Sequence, residues 1–304
     1  GVASGALMAA PAAIQLPTKP APAVSAAATT QMPVKDQKMT FDNIPGFSKQ
    51  QVDDRTVWVY VPPTIYPKDR KAVLVLHGSL DSPEGIAEAS NFHSIAARTS
   101  PGFIVVYPEM LKPGGLAWGY NAPWEHHFFR GVVDLLVDQF AVARDEIFVT
   151  GHSAGGSMTL YLQNNMPELF KGAAAVEAGV GTLSAWRNES YGRPTMVVWN
   201  HNDPVLAEFG GDQLFHDTVT QLRRHDDPKS WPDQILALPA GYQGVVSAER
   251  KLWKAREMQP RTHIISWTSA DPTHHWVNGK NLPGAPLDAS ILIWDFFQAV
   301  DKDD

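Results

Sequence analysis

The chain contains no cysteine, which removes disulfides, thiol nucleophiles and cysteine-ligated zinc together. A domain of this length can stand on its hydrophobic core without such staples. No run of 18 or more apolar residues occurs, so no membrane-spanning helix is indicated. No block of Lys and Arg stands out either: 25 basic against 32 acidic residues leave a formal charge of −7. Nucleic acids and anionic membrane surfaces need a clustered basic footprint, and neither is expected as a partner. The helical H-E-x-x-H spacing is also missing. The pairs His126-His127 and His274-His275, with His201 and His216, lack a metal-ligand pattern, so no metal and no cofactor are expected.

What is present, 304 residues that are 44% hydrophobic and 19% charged, suits one large α/β domain. Residues 1–40 stand apart, because MAAPAAIQLPTKPAPAVSAAATT is rich in Ala and Pro, nearly uncharged and without a sustained period. They are expected to form an N-terminal arm, and residues 41–304 the catalytic domain. GALMAAPAA resembles the tail of a secretory signal followed by a Pro/Ala linker, which points to a secreted or periplasmic protein. The alternative is a disordered or surface-draped arm.

From residue 56 onward, short apolar runs alternate with amphipathic stretches. TVWVYVP reads as a strand of period two, and AVLVLHG, FIVVYP, EIFVTG, AAAVEAG, TMVVWN and HIISWT as further strands. Helices are expected over Glu84–Arg98, over FFRGVVDLLVDQF and SMTLYLQNN, near 211–224 and 247–258, and over 288–300. This alternation predicts a mostly parallel central sheet with helices on both faces.

The most informative stretch is FVTGHSAGGSMTLYL. Gly151-His152-Ser153-Ala154-Gly155 fits G-x-S-x-G, placed after a buried strand and before a helix. In that context the motif is a nucleophile elbow: the turn is sharp, its neighbours must be small, and the serine hydroxyl stands clear at the carboxyl end of the sheet. The Ala154 N–H, at the positive end of the following helix, is placed to hold an oxyanion. A serine needs a base and an orienting acid. Asp203 in NHNDPV, just past the strand TMVVWN, is the preferred acid and Asp212 the runner-up. The base should lie between the last strand and the last helix, where HIISWTSADPTHHWVNG supplies His274 and His275, and only one of these neighbours can serve. A second oxyanion donor is expected after AVLVLHG, at the Ser79 N–H, with His77 as a structural hydrogen-bonder.

These motifs, together with LVLHGS, ARDEIFVTGHSAGGSMTLYL, MPELFKGAAAVEAG, PTMVVWNHNDPV and HHW, resemble α/β-hydrolase esterases of the polyhydroxybutyrate-depolymerase and feruloyl-esterase type, over roughly residues 70–300. The resemblance implies an α/β-hydrolase fold and an H-x-W setting for the base. His274-His275-Trp276 matches that setting through His274, which leaves His275 as the alternative. The family's W-x-W/Y loop is echoed by Trp118-Gly119-Tyr120. The chain departs from the pattern in having WNHND around the acid and Val277-Asn278-Gly279 after the base.

Trp118, Tyr120, Trp124, His126, His127 and Phe128 crowd one Gly/Pro-rich loop. With Trp276 beside the presumed base, Trp118, Tyr120 and Trp124 are the candidate substrate-binding aromatics. The alternative is a satellite core under a long loop. The expected activity is hydrolysis of carboxylic esters, of a polyester, oligoester or feruloyl type, by a monomeric enzyme acting on a polymeric or small substrate. The competing readings are C–C hydrolysis of β-diketones in oxidised poly(vinyl alcohol) by the same triad, and a polymer-binding protein on an inactive hydrolase fold.

Overall fold

The computed structural model describes residues 39–180, 193–223, 231–237, 244–253, 261–278 and 287–302. All of these fall within the unit Met39–Asp304, and residues 1–38 lie outside them. Ten strands form one sheet: β1 Phe47–Val52, β2 Arg55–Tyr60, β3 Arg70–Leu76, β4 Ile104–Pro108, β5 Val142–His152, β6 Gly172–Val176, β7 Thr195–Asn200, β8 Gln234–Ala237, β9 Val245–Trp253 and β10 Thr262–Ser269, in the order β1-β2-β4-β3-β5-β6-β7-β10-β9-β8. The six from β4 to β10 in that order run parallel. The flanking pairs β1-β2 and β9-β8 are antiparallel additions.

Strand periodicity divides the core. Val73 and Val75 of β3 face one side of the sheet, against Ile86 and Ala87 of α1 (Pro83–Ser90), Phe92 and Ala96 of α2 (Phe92–Arg98) and Ile293, Phe296 and Phe297 of α7 (Ala289–Lys302). Leu74 and Leu76 face the other, against Val132, Val133 and Leu136 of α3 (Pro123–Phe140) and Met158 and Leu162 of α4 (Ala154–Asn165). Successive strand residues point to opposite faces, so a sheet covered on both sides needs the continuous apolar runs seen here. A third cluster packs Leu206 of α5 (Pro204–Glu208) and Leu214 and Leu222 of α6 (Asp212–Leu222) against Val197 and Trp199. The mostly parallel sheet read from the sequence is present.

Several local readings differ. The helix expected over Glu84–Arg98 is two helices, because Asn91 adopts φ +52° and ends α1 where α2 begins. The helix expected near 247–258 is strand β9 as far as Trp253, paired antiparallel with β10, and residues 254–260 lie outside the described residues. In SAERKLW a charged, helix-compatible sequence is held extended by the sheet on both sides, so tertiary pairing overrides local preference. α3 begins at Pro123, a residue suited to a first helical turn. Trp124, His126, His127 and Phe128 are therefore helical and not in a loop.

Because β3 is followed by β4 on one side and β5 pairs on the other, the chain reverses direction across the sheet between β3 and β5. Open α/β sheets form their crevices at the carboxyl ends of such strands. The turns His77-Gly78-Ser79 and His152-Ser153-Ala154 both lie there.

Candidate active site

Ser153 sits between β5 and α4 with φ +54° and ψ −120°, a conformation that side-chain-bearing residues rarely adopt. Its N–H donates to the Val176 carbonyl at 3.0 Å, tying the turn to the end of β6. The flanking glycines answer a need for space. A Cβ on Gly155 would lie 2.2 Å from the Leu76 carbonyl oxygen, and one on Gly151 would lie 2.4 Å from the Gly155 carbonyl oxygen. Strand β3 and helix α4 approach so closely that no side chain fits between them.

Asp203 caps α5, its Oδ1 accepting from the Val205 and Leu206 N–H groups at 2.8 and 3.0 Å. Its other oxygen, Oδ2, meets Nδ1 of His274 at 2.5 Å. The Asp203 side chain is fully buried, while that of His274 is 18% exposed. His275 is exposed and has no such partner. Asp212, the runner-up acid, lies at the surface and pairs with His201 at 2.9 Å. Asn200 and Asn202 knit the two loops together. Asn200 Nδ2 donates to the Thr273 carbonyl at 3.1 Å, and Asn202 Nδ2 to the Ser269 carbonyl at 2.9 Å.

Ser153, Ala154, Ser79 and His274 line one cavity of about 630 Å³. No hydrogen bond joins Ser153 to His274 among the described residues, a common feature of ligand-free hydrolytic sites, whose contacts tighten when substrate binds. Ala154 opens α4, so its N–H has no acceptor within the helix. Gly78 brings the β3 turn against the elbow: a Cβ placed there would be 3.3 Å from Ser153 Cβ. The Ser79 hydroxyl donates to the Leu116 carbonyl, which fastens this turn to the 109–122 loop. His77 is structural. Its Nδ1 pairs with the Gly78 carbonyl at 2.9 Å, its Nε2 accepts from Met110 N–H at 3.2 Å, and burial lowers its pKa.

The rest of the cavity is largely apolar, walled by Leu116, Tyr120, Ala178, Val180, Val205, Leu206, Phe209 and Leu214. Of the four aromatics expected to bind substrate, only Tyr120 is on this wall, its hydroxyl donating to the Ala154 carbonyl at 3.2 Å. Trp118 is 2% exposed in the core under α3, and its Nε1 donates to the His77 carbonyl. Trp276 is equally buried, packed edge-on to Phe92 and donating to Ser290 Oγ. Trp124 is exposed in the first turn of α3, outside the cavity lining. The reason is common to Trp118 and Trp276: large rings stabilise most when buried with the N–H satisfied.

Two residues went unnoticed in the sequence. Glu177 is fully buried yet lines the cavity, and His152, the variable residue of the elbow, lies with its ring 4.8 Å from that of His274. Burial and the neighbouring His274 and His275 push the His152 pKa down to about 3, so its ring is neutral. The only sequence signals were an acidic residue inside AAAVEAG and the histidine in the motif. Among the described residues no group of three or more His, Asp or Glu is arranged to hold a metal ion, and no helix is long and apolar enough to cross a membrane.

The doubly covered sheet, the elbow after β5 and the late histidine define an α/β-hydrolase fold. Residues 120–204, which carry both Ser153 and Asp203, match the prolyl oligopeptidase family (Peptidase_S9). The chain is 30% identical over 156 residues to "Putative esterase NocK" of Nocardia uniformis subsp. tsuyamanensis, covering 48% of this chain and 43% of that protein. It is 27% identical over 133 residues to acetylxylan esterase A of Talaromyces purpureogenus, covering 41% of this chain and 34% of that one. The chain thus spans less than half the length of these relatives. Among solved structures, the acetyl xylan esterase of Aspergillus awamori superposes with a TM-score of 0.60 at 18% identity, covering 83% of this chain and 99% of that one.

Proposed function

We propose that the protein is a serine hydrolase of carboxylic esters, with Ser153 as nucleophile, His274 as base and Asp203 as the acid that orients it. The observation that carries this reading is the 2.5 Å contact of the buried Asp203 with His274, which lines the cavity that also holds the strained Ser153. Ser153 Oγ attacks the acyl carbon as His274 takes its proton. The tetrahedral oxyanion is held by the Ala154 and Ser79 N–H groups, each such donor contributing about 3 kcal/mol of transition-state stabilisation. His274 returns the proton to the leaving alcohol, and water repeats the sequence on the acyl-enzyme. Asp203, with its second oxygen fixed by the α5 cap, keeps the imidazole in the tautomer whose other nitrogen faces the serine.

The relatives named acetylxylan esterases carry an acetyl substrate in their names. Here a largely apolar cavity of about 630 Å³ supports a larger acyl group, aliphatic of medium length or phenolic, as in oligoesters and feruloyl esters. The Ala/Pro-rich residues 1–40 support an exported enzyme.

A fluorophosphonate probe tests the nucleophile: wild type should label at Ser153 and Ser153→Ala should not. A panel of p-nitrophenyl esters, a feruloyl ester and a β-diketone tests the substrate. Butyrate-to-octanoate or feruloyl esters should exceed acetate in kcat/KM by about tenfold, the worth of a few buried methylenes at ~0.8 kcal/mol each less the cost of ordering the chain. Preference for acetate overturns the acyl-size reading, and turnover of the diketone alone overturns ester hydrolysis.

A further inference from the structure

Glu177 follows β6 at a position where its backbone turns left-handed, with φ +49°. Such a conformation costs a non-glycine residue on the order of 1 kcal/mol and persists only where surrounding structure enforces it. Here the enforcement is visible. The Glu177 N–H donates to the Val198 carbonyl at 2.9 Å. Its Oε2 accepts from the Asn200 N–H at 2.7 Å, and its Oε1 from the Trp267 indole N–H at 3.1 Å. The carboxyl is thereby clamped between the ends of β7 and β10, with no exposure to solvent. The Asp203 side chain, carried on the turn that Asn200 begins, is its carboxyl neighbour. Two carboxyl oxygens can share a hydrogen bond only if one of the groups keeps its proton. Asp203 accepts two backbone N–H groups on one oxygen and meets His274 with the other, whereas among the described residues the Glu177 carboxyl accepts only the Asn200 and Trp267 N–H groups. The proton therefore belongs on Glu177.

We propose that Glu177 is a positioning residue for the hydrolytic triad: a neutral carboxylic acid that donates a hydrogen bond to Asp203, fixes its carboxylate toward His274 and limits the negative charge His274 feels. The inference rests on the hydrolase reading above. The direction of titration agrees, since burial, and then the charge of Asp203, raises the Glu177 pKa well above the ordinary carboxyl value. The ionisable groups around it are Asp203 from the β7–α5 connection and, lining the same cavity as Glu177, His274, His152 and Asp81. His152 is neutral, so the charges that matter are those of Asp203, His274 and Asp81. The role differs from that of the acid itself. Among the described residues Glu177 makes no hydrogen bond to His274, and it acts through Asp203.

The experiment compares wild type, Glu177→Gln and Glu177→Leu. Glutamine can donate toward Asp203 and keep one of the two acceptors that Asn200 and Trp267 use, giving up the other, whereas leucine fills the space and keeps none of them. The pH profile of kcat/KM on p-nitrophenyl butyrate reads His274 through its acid limb. Glu177→Gln should stay within about threefold of wild type with the limb unmoved. Glu177→Leu should lose tenfold or more in kcat with KM little changed, and its acid limb should move up by about half a pH unit or more, because an unshared Asp203 charge favours protonated His274. A purely structural role would lower activity without moving the limb. Infrared difference spectra of wild type and Glu177→Gln at pH 8, which need no activity and no leucine variant, should show the carbonyl stretch of a protonated carboxylic acid in wild type alone. An unshifted limb in Glu177→Leu, a Glu177→Gln variant as impaired as the leucine one, or absence of that band overturns the inference. A wild type that neither labels with fluorophosphonate nor turns over any ester sinks the hydrolase reading itself, and this inference with it. An active wild type with any of the other three outcomes sinks this inference alone.

Discussion

At the scale of single residues, the site depends on which of two adjacent histidines meets Asp203. His274 does so because its loop is drawn onto the β7 end by Asn200 and Asn202, while the next side chain, His275, is left exposed. His274→Ala is therefore expected to lower kcat by a factor of ~10⁴ or more, the scale of removing a triad member. His275→Ala should stay within about threefold. Steady-state rates on a p-nitrophenyl ester check both, and the reverse ranking would move the base to His275. Ser153, Asp203 and the two histidines were legible in the sequence because the nucleophilic catalysis proposed above needs those residue types in that chain order. Glu177 was not, because one acidic residue at the end of the strand-like AAAVEAG carries no pattern of its own until the Asn200 and Trp267 N–H groups are seen against it.

At the scale of elements, the loop 109–122 that supplies Leu116 and Tyr120 to the cavity is held by a buried ion pair. Arg55 Nη1 meets Glu125 Oε1 at 2.6 Å, both side chains almost without exposure, and the guanidinium lies 3.5 Å from the Phe128 ring centroid. Arg55 also donates to the Glu109 carbonyl at 3.1 and 2.9 Å, and Glu125 Oε2 accepts from the Gly119 N–H at 2.9 Å. The pair thus grips both ends of the loop. Glu125→Leu strands a buried charge and should cost about 3–5 kcal/mol, read from urea unfolding. Adding Arg55→Met should recover part of that loss, because the orphaned charge goes with it. A single variant as stable as wild type would show that the pair does not hold the loop. Helix α3 carries Glu125 because it starts at Pro123, earlier than the aromatic content of the stretch suggested. The period of the hydrophobic residues places a helix well and its first turn poorly.

At the scale of the whole molecule, buried imidazoles dominate the response to acid: His77 is lowered, and His152 and His263 are shifted furthest. His152 is pushed down to about 3 by burial and then by the two neighbouring histidines. His263 is pushed down to about 3 by burial and then by Arg250 and Arg261. In the unfolded chain both titrate near 6.5, so between about 6.5 and 3 the unfolded state holds more protons and stability falls as pH drops. Glu177, raised by burial, acts in the opposite sense: its contribution is complete below the ordinary carboxyl value near 4.5 and is lost as pH rises toward its folded value. Glu109 and Asp295, also raised by burial, act in the same sense as Glu177, so these carboxyls partly offset the histidines above their ordinary carboxyl values and no longer do so below them. Urea midpoints measured from pH 7 to pH 4 should fall, and His263→Gln should show a shallower slope than wild type whatever its stability at pH 7. Equal slopes would show that His263 is not held neutral by the fold.

The sequence by itself determined the sheet, the elbow and the residue types of the proposed triad. Buried strands must be continuously apolar, the elbow must have glycine where β3 and α4 nearly touch, and serine chemistry must have a histidine and an acid further along. Only the tertiary structure decided which histidine meets Asp203, that Trp118 and Trp276 belong to the core and not to the cavity, that SAERKLW is a strand, and that Glu177 stands behind the acid. Each of those depends on contacts between residues distant in the chain, where burial and hydrogen-bond satisfaction outweigh what any short stretch prefers on its own.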